Sequence, residues 1–189
     1  MLAPTGGSGQ VYEPDPELIR AAADGDTTAF EELVHAYQAH VWRFLRHLLG
    51  DPSLAEDVTQ ETFIRIFRKL GTFRFRSKFS SWVFQVARNA GIDAIRARGR
   101  RESVVRTFER RARYSTPAEE LRVEIEAALQ SLTPKLREAF VLVEALGLTY
   151  REAGTALSVP EGTVKSRVFH AREQLVSWLT AGDEVADEA

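Results

Sequence analysis

The chain has no cysteine, one methionine and no apolar run long enough to span a bilayer. Without thiols it forms neither disulfides nor thiolate metal sites, which suits a reducing cytosol. It also lacks an excess of either charge: 25 Lys and Arg face 27 Asp and Glu, a net of -2. A protein that held nucleic acid alone through phosphate contacts would be basic. This chain therefore either does not act on nucleic acid or acts on it with help. The opening residues, MLAPTGGSGQ, have no basic lead and no apolar core, so no signal peptide is expected. Residues 1–15 are rich in Gly, Pro and Ser and read as mobile.

What the chain does have is helical periodicity. Its 189 residues, 44% of them apolar, suit one domain or two small ones. Phe30, Leu33, Val34, Tyr37, Val41, Phe44, Leu45 and Leu48 follow the helical period. Gly50-Asp51-Pro52 ends that run, and Ser53 with Glu56 reads as a capping box for the next helix. Leu54, Val58, Phe63, Ile66, Phe67 and Leu70 carry this second helix, which Gly71 closes. A loop leads to a helix over 81–98 with Trp82, Val86, Ile92 and Ile95. Pro117 restarts helix, turned inward by Leu121, Ile125, Ala128, Leu129 and Leu132, and Thr133-Pro134 starts another.

Charge is unevenly spread. Nine arginines fall between Arg88 and Arg113 against Asp93, Glu102 and Glu109, and the end carries Asp183, Glu184, Asp187 and Glu188. The expected fold is all-α: two small helical domains, 16–98 and 117–180, joined by a basic flexible linker over 99–116. An acidic tail, 181–189, follows.

The stretch Leu148 to Leu175, LTYREAGTALSVPEGTVKSRVFHAREQL, reads as a helix-turn-helix. Thr149 and Glu152 have capping-box spacing. Gly154 lets the second helix approach, and Ser158 to Pro160 makes the turn. Val164, Val168, Ala171 and Leu175 share a face that must be buried. Thr163, Lys165, Ser166 and Arg167 then lie on or beside the outer face near the N-terminal end, which normally meets base edges. An ordinary helical hairpin with solvated charges would show part of this pattern.

From Leu129-Gln-Ser-Leu-Thr-Pro onward this window resembles region four of bacterial extracytoplasmic-function sigma factors. Ala153 stands where a larger aliphatic is common, Gly154 where alanine is usual and Ser158 where glycine often turns, so a loosely packed first helix is expected. Response-regulator output domains share a similar LTPxxREVL and TVK pattern, but they follow an α/β receiver, and no strands are expected here. Instead Asp57-Val-Thr-Gln-Glu-Thr-Phe-Ile-Arg65, Phe73-Arg-Phe-Arg-Ser-Lys-Phe-Ser-Ser-Trp82 and Ala87-Arg-Asn89 resemble region two of the same family, in the same order.

The resemblance implies a sigma factor that binds core RNA polymerase and opens promoters. Glu161, Thr163, Lys165, Ser166 and Arg167 would meet the upstream (-35) element. Arg74, Phe75, Arg76, Ser77 and Lys78 would hold a base flipped from the downstream (-10) element; exposed base faces suit aromatic stacking and the backbone suits cations. Phe75 and Arg76 replace the glycine and acid of a frequent FRGES-type loop, so an altered base preference is expected. Phe79 and Trp82 also read as core. Arg88, Asn89, Asp93 and Arg96 would meet the rest of that element, Asn89 through its amide and the arginines through phosphates. Glu56, Asp57, Gln60, Glu61 and Arg65 include neighbours one turn apart. They would form a polar face docked on the clamp helices of the polymerase beta-prime subunit, with the beta subunit near region four. The linker would thread the polymerase channel. An anti-sigma factor is a further expected partner.

No catalytic, cofactor or metal site is expected. Glu31-Glu32 and Glu119-Glu120 fit solvated helix starts or faces. His35, His40, His47 and His170 lack metal spacing and read as surface histidines. The chain is expected to be a cytoplasmic non-enzyme without membrane insertion. Two rivals remain: a stand-alone helix-turn-helix repressor or activator, and an adaptor that docks helical partners without DNA.

Overall fold

The computed structural model describes residues 11–101 and 117–186, all of whose regular structure is helical. Residues 1–10 of the expected mobile N-terminus, residues 102–116 of the expected 99–116 linker and the last three residues of the acidic tail lie outside the described residues, as do the linker arginines' side chains.

The first half contains α1 (Pro16–Ala23), α2 (Thr27–Leu49), α3 (Pro52–Lys69), a 3-10 turn (Leu70–Thr72) and α4 (Phe79–Arg101). The second contains α5 (Pro117–Ser131), α6 (Pro134–Phe140) running into a wider helical turn (Val141–Ala145), α7 (Tyr150–Leu157) and α8 (Glu161–Ala186). Thus α4 is longer at both ends than its apolar pattern predicts.

Aspartates start the first three helices. Asp15, Asp26 and Asp51 each accept a backbone N–H of the first turn, satisfying donors that have no partner inside the helix. The capping box expected at Ser53 and Glu56 does not form. Pro52 takes the first helical position, where its missing N–H costs nothing. The cap thereby moves back to Asp51, whose carboxylate accepts from Ser53 N at 3.0 Å and Leu54 N at 3.2 Å. Gly50 ends α2 in the left-handed region at φ +67.

Tyr37, Phe44, Phe79 and Phe84 are the largest side chains fully withdrawn from water. They pair edge to face, Tyr37 with Phe79 at 5.6 Å and Phe44 with Phe84 at 5.8 Å between ring centres. The Tyr37 hydroxyl donates to the Tyr12 carbonyl, and burial beside Glu13 holds its phenol far above the ordinary range. Val11–Asp15, expected to be mobile, are therefore packed against the first half.

Periodicity overreaches at four places. Phe67, Ile95, Leu121 and Ile125 share faces with core residues yet are exposed. Elsewhere it holds: Ala128, Leu129, Leu132, Val164, Val168 and Ala171 are buried, and Leu175 is half-buried. The two halves also touch. α4 packs on α7, α2 packs on α5 and α6, and one apolar core takes in Phe44 and Phe84 together with Leu142, Leu157 and Val164.

Candidate nucleic-acid and polymerase interfaces

The α7–α8 pair is a helix-turn-helix with a closed capping box. Thr149 N donates to Glu152 Oε2 at 2.9 Å, and Glu152 N donates to Thr149 Oγ1 at 3.3 Å. Ser158 makes the turn at φ +57, a backbone conformation that favours glycine. The first helix is not loosely packed. Ala153, Ala156 and Leu157 are buried, and a Cβ on Gly154 would stand 2.8 Å from the Val159 carbonyl oxygen. The small residues let the turn close directly over α7.

With Val164 and Val168 fully buried, the helical period turns Glu161, Lys165 and Ser166 outward and leaves Thr163 and Arg167 half-buried. Lys165 Nζ lies 2.8 Å from Glu161 Oε1, and this bond holds the amine above its ordinary range. Ser166 Oγ donates back to the Thr163 carbonyl at 3.0 Å. Of the two cations, Arg167 alone has no ion-pair partner among the described residues.

In the loop before α4, Phe73 is buried and anchors the segment, while Arg74, Phe75, Arg76 and Lys78 are exposed and Ser77 is half-buried. Phe79 is core and Trp82 half-buried. Phe75 holds φ +54, strained for a bulky residue, yet the residue is 42% exposed. It leans on Phe73, ring centres 4.9 Å apart, and the Arg20 guanidinium lies 5.0 Å from its centre. A cleft of about 250 Å³ beside it is lined by Arg20, Asp24, Gly71 and Phe73. Glu13 accepts the backbone N–H groups of Phe79 and Ser80, fixing the start of α4 from the far end of the chain.

Along α4, Asn89, Asp93 and Arg96 are exposed, and Arg88 is half-buried. On α3, Glu56, Asp57, Gln60 and Glu61 form an exposed polar face. Arg65 joins the two helices: it donates to Asp93 Oδ2 at 2.7 Å and to Glu61 Oε1 at 2.9 Å. Those carboxylates raise its guanidinium above the ordinary range. Asp93 is thus engaged with the α3 face.

The histidines are not all surface groups. His47 Nδ1 meets Glu126 Oε2 at 3.1 Å in a half-buried contact between the halves. His40 is also half-buried, and burial lowers its pKa. Among the described residues no group of three or more His, Cys, Asp or Glu could hold a metal ion.

Two family models match: Sigma-70 region 2 over residues 33–101 and Sigma-70, region 4 over residues 122–175. The ECF RNA polymerase sigma factor SigE of Mycolicibacterium smegmatis is 36% identical over 186 residues, covering 88% of this chain and 70% of its own. The RNA polymerase sigma-H factor of Pseudomonas aeruginosa is 35% identical over 178 residues, covering 86% and 92%. The chain belongs to the extracytoplasmic-function sigma factors. Among solved structures, this sigma factor resembles RpoE in complex with the anti-sigma factor NepR from Bartonella quintana, at 27% identity and TM-score 0.67, over 80% of this chain and 96% of that one. It also shares the fold of CnrH, solved with the cytosolic domain of CnrY, at 24% identity and TM-score 0.71, over 87% and 96%.

Several residues at these faces carry no sequence signal in this sigma factor. Glu13 caps a helix more than sixty residues away. Arg20 lies before the matched region 2 segment yet borders the loop cleft. Glu138 and Glu152 of the second half meet Arg88 and Lys78 of the first. Only Glu152 lay within a motif, and there as a cap.

Proposed function

We propose that this sigma factor divides promoter recognition between its halves. Residues 16–98, as region 2, dock the α3 face of Glu56, Asp57, Gln60, Glu61 and Arg65 on the beta-prime clamp helices. The same domain engages the downstream element through Arg74, Phe75, Arg76, Ser77 and Lys78. Arg88, Asn89 and Arg96 follow along α4 as phosphate or base-edge contacts, and Asp93 positions Arg65. Residues 117–180, as region 4, lay the N-terminal end of α8 in the major groove of the upstream element, near the beta subunit. Arg167 reads a base there, while Glu161, Thr163, Lys165 and Ser166 position it. The linker, 99–116, joins the two through the polymerase channel.

Phe75 carries this reading. A strained backbone that keeps an aromatic ring in water, among Arg74, Arg76 and Lys78, is suited to stacking an unpaired base. A repressor that binds only duplex DNA needs no such ring. The net charge of -2 fits a protein whose hold on DNA is shared with polymerase. The protein acts in the cytoplasm as an initiation factor and not as an enzyme, with RNA synthesis left to the polymerase. RpoE was solved with an anti-sigma factor, and its likeness to this chain supports control by a partner of that type. Among the described residues no helix is long and apolar enough to cross a membrane.

The test is runoff transcription with purified core polymerase and a genomic promoter pool. Specific starts that depend on the chain are expected; their absence across a range of salt refutes the reading.

A further inference from the structure

Three polar contacts run along the seam between α4, with the loop before it, and the second half. Lys78 Nζ lies 2.7 Å from Glu152 Oε1. Gln85 Nε2 donates to Ser158 Oγ at 2.9 Å. Arg88 Nε donates to Glu138 Oε2 at 2.9 Å. Behind this seam the C-terminus of α2 is tied down as well. Gln130 Nε2 donates to the His47 carbonyl at 2.9 Å, and Arg137 Nη1 donates to the Leu48 carbonyl at 3.3 Å.

Lys78 and Arg88 are two of the cations assigned above to the downstream element, so the inference rests on that reading. Each now faces a carboxylate from the helix-turn-helix half. Glu138 is only 4% exposed, and the one side-chain hydrogen bond of its carboxylate among the described residues is to Arg88. A carboxylate withdrawn from water needs a partner, and here that partner lies in the other half. Glu152 is aimed in advance: Oε2 is held by Thr149 N in the capping box, which leaves Oε1 for Lys78. A carboxylate and a phosphate satisfy a cation by the same charge-assisted hydrogen bonds.

We propose that this closed arrangement is self-inhibited: Glu138 and Glu152 occupy Arg88 and Lys78 as internal phosphate surrogates, and the downstream element gains these cations only when the halves part. The helix-turn-helix half then has two roles, reading DNA when open and masking the neighbouring DNA-binding surface when closed. Polymerase and promoter together compete with the seam.

The absence of native cysteine makes a clean test possible. Gln85→Cys with Ser158→Cys places one thiol pair across the seam at residues outside the proposed DNA contacts. The oxidised protein, freed of oxidant before mixing with core polymerase, is expected to lose promoter opening and regain it on reduction. Equal transcription by oxidised and reduced forms overturns the proposal. Loss of specific starts in the reduced form as well would instead strike at the sigma reading. In a second arm, Glu138→Gln with Glu152→Gln is expected to raise affinity for a fluorescent single-stranded oligonucleotide several-fold, without polymerase. Unchanged affinity in a variant that remains folded by circular dichroism overturns the surrogate role. If that variant does not fold, the disulfide arm still decides between inhibition and a passive interface.

Discussion

The Arg20 guanidinium lies 5.0 Å from the centre of the Phe75 ring, so a cation from α1 rides on the exposed aromatic of the loop. The ring is thus held out as a platform with one side braced. Replacing it separates its two energetic roles. Phe75→Gly removes left-handed strain of about 1–2 kcal/mol while deleting the platform. Stability should hold or rise, but promoter opening should fall on the order of tenfold, in line with base stacking of roughly 1–3 kcal/mol. Permanganate mapping beside closed-complex binding checks this. An equal loss in both steps would show that the ring serves general affinity instead.

At the N-terminal end of α8, Glu161 lies against Lys165 at 2.8 Å, while Arg167 has no acidic partner among the described residues. Arg167→Ala should therefore erode base discrimination at the upstream element by about tenfold, within the roughly 1–3 kcal/mol of a good bidentate contact. Lys165→Ala should weaken binding evenly across sequences. Transcription from a panel of single-base upstream variants distinguishes the two patterns. Unchanged selectivity with Arg167→Ala would remove Arg167 from the reading set.

Much of the helix-turn-helix was visible as letters. The order Thr149, Glu152, Gly154, Val164 and Val168 gives a cap, a close approach and an inward stripe, each a local property of spacing. The α3 cap is Asp51, a residue that the sequence pattern assigns with Gly50 and Pro52 to the end of the preceding helix. The choice between Asp51 and Ser53 turned on where Pro52 fits, not on the box pattern. Leu121, Ile125, Phe67 and Ile95 show another limit: a period shows which residues share a face, not whether anything covers it. The seam was invisible for a related reason. Arg88 and Glu138 are fifty residues apart, and each reads alone as a solvated charge.

Gly154 yields a stability prediction against helix propensity. Alanine is the better helix former by about 1 kcal/mol. Its Cβ would nevertheless meet the Val159 carbonyl oxygen at 2.8 Å, and that backbone belongs to a tight turn which cannot easily give. Gly154→Ala should cost about 1–3 kcal/mol by overpacking. Chemical denaturation measures it; a gain in stability would mean that the turn is free to shift.

Arg137 is a buried guanidinium serving carbonyl groups at two helix ends. It donates to Leu129, Gln130 and Leu132 near the end of α5 and to Leu48 near the end of α2, and burial lowers its pKa. Alanine would leave buried carbonyl groups without donors. Arg137→Ala is expected to cost about 2–4 kcal/mol. Arg137→Lys should recover only part, since an ammonium cannot span both helix ends. Urea melting of the two variants gives the comparison, and full recovery by lysine would disprove the bridging role.

The seam and the tie behind it also set an acid limit on closure. Burial raises the Glu152 and Glu126 carboxyls, but hydrogen bonds from Lys78 and Thr149 to the first, and from His47 and Gln130 to the second, outweigh it. Both carboxyls therefore lie below their ordinary 4.5. Their contribution is present above that value and is lost as pH falls through the lowered one. Lys78 moves the other way, raised above 10.5 by Glu152, so its contribution persists below 10.5 and fades only above its raised value. Closure should be level from neutral pH down to about 5 and should loosen in stronger acid. Dyes on Gln38→Cys and Gln174→Cys, both exposed in the native fold, would report it by energy transfer. Adding Glu152→Gln should lower the neutral plateau and flatten the acid limb. An acid limb of unchanged depth with Glu152→Gln would show that other carboxyls govern the transition.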